Sequence, residues 1–337
     1  MKTIDEIRDI FSETISESSW WQKFKGSEFV TYLVTFIAQV VFRFQNAALR
    51  YLQEGFLSLA VTPAAILSHA QSKGYVARKR IPTSHTLTIT NSRNETLYLP
   101  SDTSVESQDS GLLYLIREAT TIPANSSVTV DAIQGEIALF PTTVSQYKKY
   151  LEVELPKEES KQVAEFTVYV TDPDTQRKDE WEASFLFRNK NSDSKAYAEY
   201  YTSTERVGVR FGNGTTGLIP KLGSVIEVSC ILTEGFSELP IGAKLKLNEL
   251  VEFNESLVVE VASTVAVGGE RESLEEIRHN ALYFSAYDNN LVFGGDYEFF
   301  INQKLGGLTW LSVWGEAEQE ILKGNSDLGY INQKYIS

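Results

Sequence analysis

Residues 27–59 carry the clearest pattern along the chain. Thr31, Thr35, Gln39, Arg43, Asn46 and Arg50 recur at helical intervals and form a narrow polar stripe. Phe29, Leu33, Phe36, Val40 and Phe44 fall on one flank of it, and Val30, Val34, Ile37, Val41 and Leu52 on the other. This spacing predicts an α-helix with more apolar surface than one neighbour covers. The residues admit two readings: an internal core helix, or a bundle helix completed by other chains. On the second, Phe29, Leu33, Phe36, Val40, Phe44 and Tyr51 are the candidate partner-helix interface.

Thr3-Ile4-Asp5-Glu6 is a capping box and predicts a preceding helix with Ile4, Ile7 and Phe11 on its apolar face, running towards an exposed Trp20-Trp21 pair. Thr62-Pro63 opens a short helix through Gln71, which Lys73-Gly74 ends. From His85 the period becomes two: "TLTITN", "ETLYLP", "GLLYLI", "SSVTVDAI" and "GEIALF" predict short antiparallel strands. Further strands are expected at "LEVEL", "EFTVYV", "EASFLF", "VGVRF", "SVIEVSCIL" and "ESLVVEVASTVAV", with the charged stretches "PKEES" and "TDPDTQRKDE" as loops. A second capping box, Ser273-Leu274-Glu275-Glu276, begins a helix through about Phe284. Asp296 is expected to cap another that Gly306-Gly307 stops, and "LTWLSVWGEAE" and "LGYINQKYIS" read as closing strands.

The expected fold class is α+β and β-rich, in four segments. These are an N-terminal helical bundle arm (1–84), an antiparallel β domain (85–145), a second β-rich domain (146–267) and a helix-helix-strand C-terminal region of α/β dimerisation type (268–337).

Composition narrows the function. The net charge of −14 works against binding nucleic acid or anionic lipid, both of which need clustered cations, and Arg78-Lys79-Arg80 is too short a run to supply them. The apolar run Phe29–Phe42 is too short to span a bilayer. Met1-Lys2-Thr3 leads into acidic residues without a secretory signal pattern, so synthesis in the cytoplasm is the expectation, and the sequons at Asn94, Asn125, Asn213 and Asn254 are read as loop composition. Cys230 is the only cysteine, and it lies inside an apolar strand where a thiol is ordinarily inert. His69, His85 and His279 are scattered without metal-ligand spacing. No nucleophile elbow occurs and nothing selects one carboxylate pair over another, so the expectation is a non-enzymatic chain with no cofactor and no metal.

One motif asks for a separate test. Gly212-Asn213-Gly214-Thr215-Thr216-Gly217 spells the G-x-G-x-x-G of dinucleotide loops directly after a predicted strand. That loop holds a pyrophosphate only when its third glycine opens a helix. Here Pro220 and Gly223 spoil a helix interior, and Val225-Ile226-Glu227-Val228 favours a strand. A P-loop fails as well, because Leu218 follows Gly217 in place of Lys. The motif therefore reads as a strand-to-strand connection in which Asn213-Gly214 turns the chain and Pro220 stiffens the return.

Taken whole, "VGVRFGNGTTGLIPKLGSVIEVSCILTEG" resembles the signature of the baseplate J family, wedge proteins of contractile phage tails and related injection machines. Arg210, Phe211, Gly212, Asn213, Gly214, Gly217, Pro220, Gly223, Thr233 and Gly235 carry the likeness. "AAILSHAQSKGYVARKRIPTSHTLTIT", "LYLPSDTSVESQDSGLLYLIREATTIPANSSVTVDAIQGE" and "GGERESLEEIRHNA" with "GGDYEFF" are similar to further family segments in the same order, over roughly residues 60–315. Asn213 stands where the family has Asp, and many such wedge proteins continue into further domains beyond the equivalent of Ser337. The resemblance implies a virion structural subunit of the tail baseplate, made in the host cytoplasm. It implies that copies pair, join a smaller wedge partner through a helical bundle and ring the central hub. Leu274, Ile277 and Tyr297 are the expected C-terminal interface. A carbohydrate-binding or carbohydrate-cleaving tail protein, with Trp181, Trp310 and Trp314 as sugar platforms, is the alternative.

Overall fold

The computed structural model of the chain describes residues 2–248, 253, 255–287, 290–305, 310–315, 321 and 334–336. It is an α+β, β-rich structure. Helix α1 spans Ile4–Glu17 and opens with the predicted capping box: Thr3 N donates to Glu6 at 2.8 Å and Glu6 N to the Thr3 hydroxyl at 3.2 Å. A 3-10 turn at Trp21–Phe24 leads to α2, Glu28–Glu54, whose first turn is capped by Ser27. Helix α3 follows at Pro63–Ser72, with proline in its first turn, where no amide donor is lost.

The strands follow in chain order: β1 Ser84–Asn91, β2 Leu97–Leu99, β3 Thr103–Ser107, β4 Leu113–Ile116, β5 Thr120–Ile122, β6 Ser126–Gln134, β7 Glu136–Thr143 and β8 Glu152–Glu154. After a single helical turn, α4 Lys157–Ser160, come β9 Val163–Thr171, β10 Lys178–Ala183, β11 Ala196–Tyr201, β12 Val207–Phe211, β13 Val225–Leu232, β14 Lys244–Leu247 and β15 Leu257–Ala266. Helices α5, Leu274–Tyr287, and α6, Gly294–Leu305, precede two short strands, β16 Val313–Gly315 and β17 Lys334–Ile336.

Two larger sheets organise these strands. The first is a closed barrel in the order β1-β15-β14-β3-β4-β6, filled by Leu87, Ile89, Val105, Tyr114, Ile116 and Val259. The second is open, in the order β7-β13-β9-β10-β11-β12-β8, over a core that includes Val168, Trp181, Phe211, Ile226 and Cys230. Along β1 half-buried and buried residues alternate strictly, as a strand with one face on a core requires.

Several expectations change here. The barrel joins residues 84–134 to 244–266, and β7, although inside the segment 85–145, lies in the second sheet. The linear divisions at 145 and 267 therefore do not follow the sheets, because β1 takes β15 and β6 as its two neighbours. The strand expected at "EASFLF" starts and ends earlier, as β10: Lys178 pairs with Thr171 inside the stretch read as a loop, and the chain turns at Leu186 and Phe187 with positive φ. Asp296 does not cap α6 from outside. It sits in the first turn and accepts from the amides of Val292 and Phe293 at 3.0 and 2.6 Å. Gly306-Gly307 and most of the two closing stretches lie outside the described residues.

A third core joins the helices to the second sheet. Leu57 and Ala60 after α2, Ile66, Leu67 and Ala70 of α3, Ile277, Ala281 and Phe284 of α5 and Phe299 of α6 pack together, with Tyr201 of β11 and Phe185, just past the end of β10, against them. The N-terminal arm is thus rooted in the body of the chain.

Candidate interaction surface

Helix α1 packs along α2 and covers the flank formed by Val30, Val34 and Ala38, all buried. Ile37 and Val41 on this flank are half-buried, and Leu52 is exposed. The opposite flank has no neighbour among the described residues. There Phe29 is 70% exposed, Phe36 64%, Val40 49%, Phe44 74% and Tyr51 80%, while Leu33 is half-buried. These residues, with Ala47, fall within about 80° of helix circumference and run for about 33 Å. Scattered exposed apolar residues are ordinary on a surface, but a contiguous stripe of aromatic rings marks an interaction site. Sequence reasoning passed over Tyr32 and Phe56, both exposed beside the stripe or just past its end. Their bulk and helical spacing were the available signal.

The root of α2 fixes its direction. The Glu54 carboxylate accepts from the amides of Val61 and Thr62 at 3.2 Å and from the Thr62 hydroxyl at 2.8 Å, which ties the end of α2 to the approach to α3. The hydroxyl bond, aided by the two amides, lowers the pKa of Glu54. His69 reaches back from α3 to the Glu54 carbonyl at 2.8 Å, and Arg278 of α5 donates to the Ala60 carbonyl at 3.3 Å.

The Arg-Lys-Arg run divides its cations among three elements. Arg78 donates to the Asn302 carbonyl of α6 at 3.3 Å, Lys79 pairs with Glu199 of β11 at 2.7 Å, and Arg80 meets Glu270 at 3.0 Å and the Thr233 carbonyl at 3.1 Å. A cleft of about 460 Å³ opens over this run, but Lys79 is paired with Glu199 and Arg80 with Glu234 and Glu270, so these two cations are in large part neutralised. Close by, the buried Glu272 accepts from the Tyr75 hydroxyl at 2.6 Å, Arg78 N at 2.9 Å and Asn280 at 2.5 Å. Burial pushes the Glu272 carboxyl upward against the opposing pull of these donors, and burial with the adjacent carboxylate pushes the Tyr75 hydroxyl up.

The glycine loop connects β12 to β13, as its sequence predicts, and no helix follows Gly217. Asn213 Oδ1 accepts from the amides of Thr215 and Thr216, both at 2.8 Å, and its amide donates to the Tyr150 hydroxyl at 2.7 Å. Gly214 and Gly217 both have φ of +85°, and Gly214 N donates to the Gly217 carbonyl at 3.0 Å. Gly212 owes its identity to a close approach: a Cβ there would lie 2.1 Å from the Gly217 oxygen. Phe211 is buried in the second core, Arg210 pairs with Glu152 at 2.7 Å, and Pro220 is buried. Without a following helix N-terminus the loop lacks the amide cradle that a pyrophosphate needs.

The expected C-terminal interface does not form a shared surface. Ile277 is buried in the chain's own third core, Leu274 packs against that core, and Tyr297 is half-buried. The apolar side of α5 is occupied by α3, which the helical spacing of the sequence alone does not reveal. Of the three tryptophans, Trp181 stacks edge-on against Phe211 in the second core, Trp314 is half-buried and Trp310 is exposed, so they make no common platform. Among the described residues no cluster of His, Cys, Asp and Glu is arranged to hold a metal, and no helix is long and apolar enough to cross a membrane. No protein-family model matches the chain, and no curated protein matches it significantly.

Proposed function

We propose that the chain is a non-enzymatic structural subunit of a contractile-tail baseplate, a wedge protein that pairs with itself and joins a wedge partner in the ring around the central hub. On this reading its place is the virion, and it passes the contraction signal through its contacts. The observation that carries the proposal is the uncovered apolar stripe of α2, a surface that a protein working alone would pay for in solubility. Further support comes from the four ordered sequence stretches and from a glycine loop that serves backbone geometry. The acidic surface suits protein partners better than nucleic acid.

The test is co-expression with the neighbouring tail proteins, with masses read by light scattering after size exclusion. The expected result is a heteromeric complex in which this chain is present in more than one copy. Phe36→Ser with Phe44→Ser, both on the exposed stripe, should leave the chain folded by circular dichroism and abolish the complex. A well-folded monomer that ignores every tail protein and binds glycan would overturn the proposal.

A further inference from the structure

The α2 stripe has an electrostatic margin. The charged residues of α2 are Glu28 and Glu54 at its ends and Arg43 and Arg50 between them. Arg43 and Arg50 are seven residues apart, two turns or about 10.5 Å along the axis, on the same edge of the stripe as Tyr32. Both are exposed, and neither makes an ion pair among the described residues. Two unpaired cations at heptad spacing beside an apolar seam occupy the place where paired helices carry their partner-selecting charges.

Resting on the assembly reading above, we infer that the stripe is covered by a helix of a different chain, one that presents an apolar seam flanked by carboxylates seven residues apart opposite Arg43 and Arg50. A second copy of this chain fits poorly. In a parallel pair each arginine edge faces the opposite edge of the other α2, where Ile37, Val41 and Ala48 offer no carboxylate, and in an antiparallel pair the two arginine edges meet, so α2 itself supplies no partner for either cation. The other candidate element, α1, has carboxylates at Asp9, Glu13 and Glu17, but only Ile4 and Ile10 as exposed large apolar residues, too few to cover a 33 Å seam.

Two synthetic amphipathic helices test this, each about four heptads long with the same Leu/Ile seam. One carries Glu at the flanking positions and the other Lys. At low salt the full chain should bind the Glu helix about tenfold more tightly, as two exposed ion pairs allow, and the preference should shrink in 1 M salt. In the Arg43→Glu/Arg50→Glu chain, checked for native circular dichroism, the preference should invert. Equal binding of the two helices, or binding of neither, overturns the inference. So does a chain that dimerises alone through the stripe, losing the dimer on Phe36→Ser. The two proposals fail separately: a Glu preference without any tail complex removes the baseplate reading alone, and a tail complex indifferent to both arginines removes this one alone.

Discussion

The Gly212→Ala substitution tests whether the glycine loop is built by close backbone approach. Gly212 φ is not in the left-handed region, so alanine meets no conformational penalty there. Its Cβ would instead lie 2.1, 2.2 and 2.5 Å from the O, C and Cα of Gly217, all backbone atoms that no rotamer change can move. Separating the strands of the loop by more than an ångström breaks the Gly214 N to Gly217 O bond at 3.0 Å and strains the Tyr150 N to Gly212 O bond at 3.1 Å. Overpacking of about 1–3 kcal/mol and one lost hydrogen bond of about 1 kcal/mol give a destabilisation of about 3 kcal/mol. Gly223→Ala is the control: φ is +82° but the nearest atom, Pro173 Cβ, is 3.5 Å away, so only the left-handed penalty of about 1–2 kcal/mol applies. Guanidinium unfolding followed by fluorescence should rank Gly212→Ala as the more damaging, with faster amide exchange at Gly214 and Gly217. A Gly212→Ala loss equal to or smaller than that of Gly223→Ala refutes the close-approach account.

Glu272→Ala should destabilise the junction of α5 with the segment after α3 by about 2–4 kcal/mol, because the buried Tyr75 hydroxyl and Arg78 amide lose their acceptor. Since burial raises the Glu272 pKa in the folded chain, its contribution is greatest below the unfolded carboxylate pKa and is lost as pH rises through the folded value. The melting temperature of the wild type relative to Glu272→Gln should therefore fall between the acid range and neutrality, and a constant difference would contradict this. Glu54→Ala should speed exchange of the Val61 and Thr62 amides, and in the wild type the same bonds should weaken in acid, because they lower the Glu54 pKa. Cys230, buried in β13 with its thiol pushed up to about 12 by burial, should resist alkylation at pH 8 until denaturant is added.

Local chemistry was legible in the sequence where the partners are a few residues apart. Both capping boxes form, since Ser273 N donates to Glu276 at 2.7 Å just as Thr3 N does to Glu6. The turn at Asn213 closes on the amides two and three residues on. Pairing was not legible, because period-two patterning names the buried face of a strand and not its neighbour. The pairing of β1 with β15 links residues far apart in the chain, and β3, β5, β11 and β14 went unread. "TSVES" and "KLKL" are short and rich in polar residues, and they become strands because the barrel needs them between β4 and β15. The early start of β10 has a similar cause: Asp172 Oδ1 accepts from Asp174 N and Thr175 N and folds a tight turn that pulls Lys178 into register with Thr171.

The candidate interface was legible in part, and the missing part is where its energy lies. Helical spacing sorts α2 into two apolar flanks, but only the packed structure assigns one of them to α1. Seen alone, α2 could be an internal helix; with α1 on Val30, Val34 and Ala38, the aromatic flank is left over. The root then matters as much as the flank. Helices of this kind draw most of their stability from packing, and a free amphipathic helix would have to order itself on binding. Here Leu57 and Ala60 are buried at the base, Glu54 holds the segment that leads into α3 and α1 braces the first half, so the stripe is presented in a fixed direction before any partner arrives. A preorganised seam spends less of its contact energy on ordering, which leaves more to appear as affinity. Loosening the root by Glu54→Ala should therefore weaken partner binding although Glu54 lies outside the stripe, an effect that a purely contact-driven interface would not show.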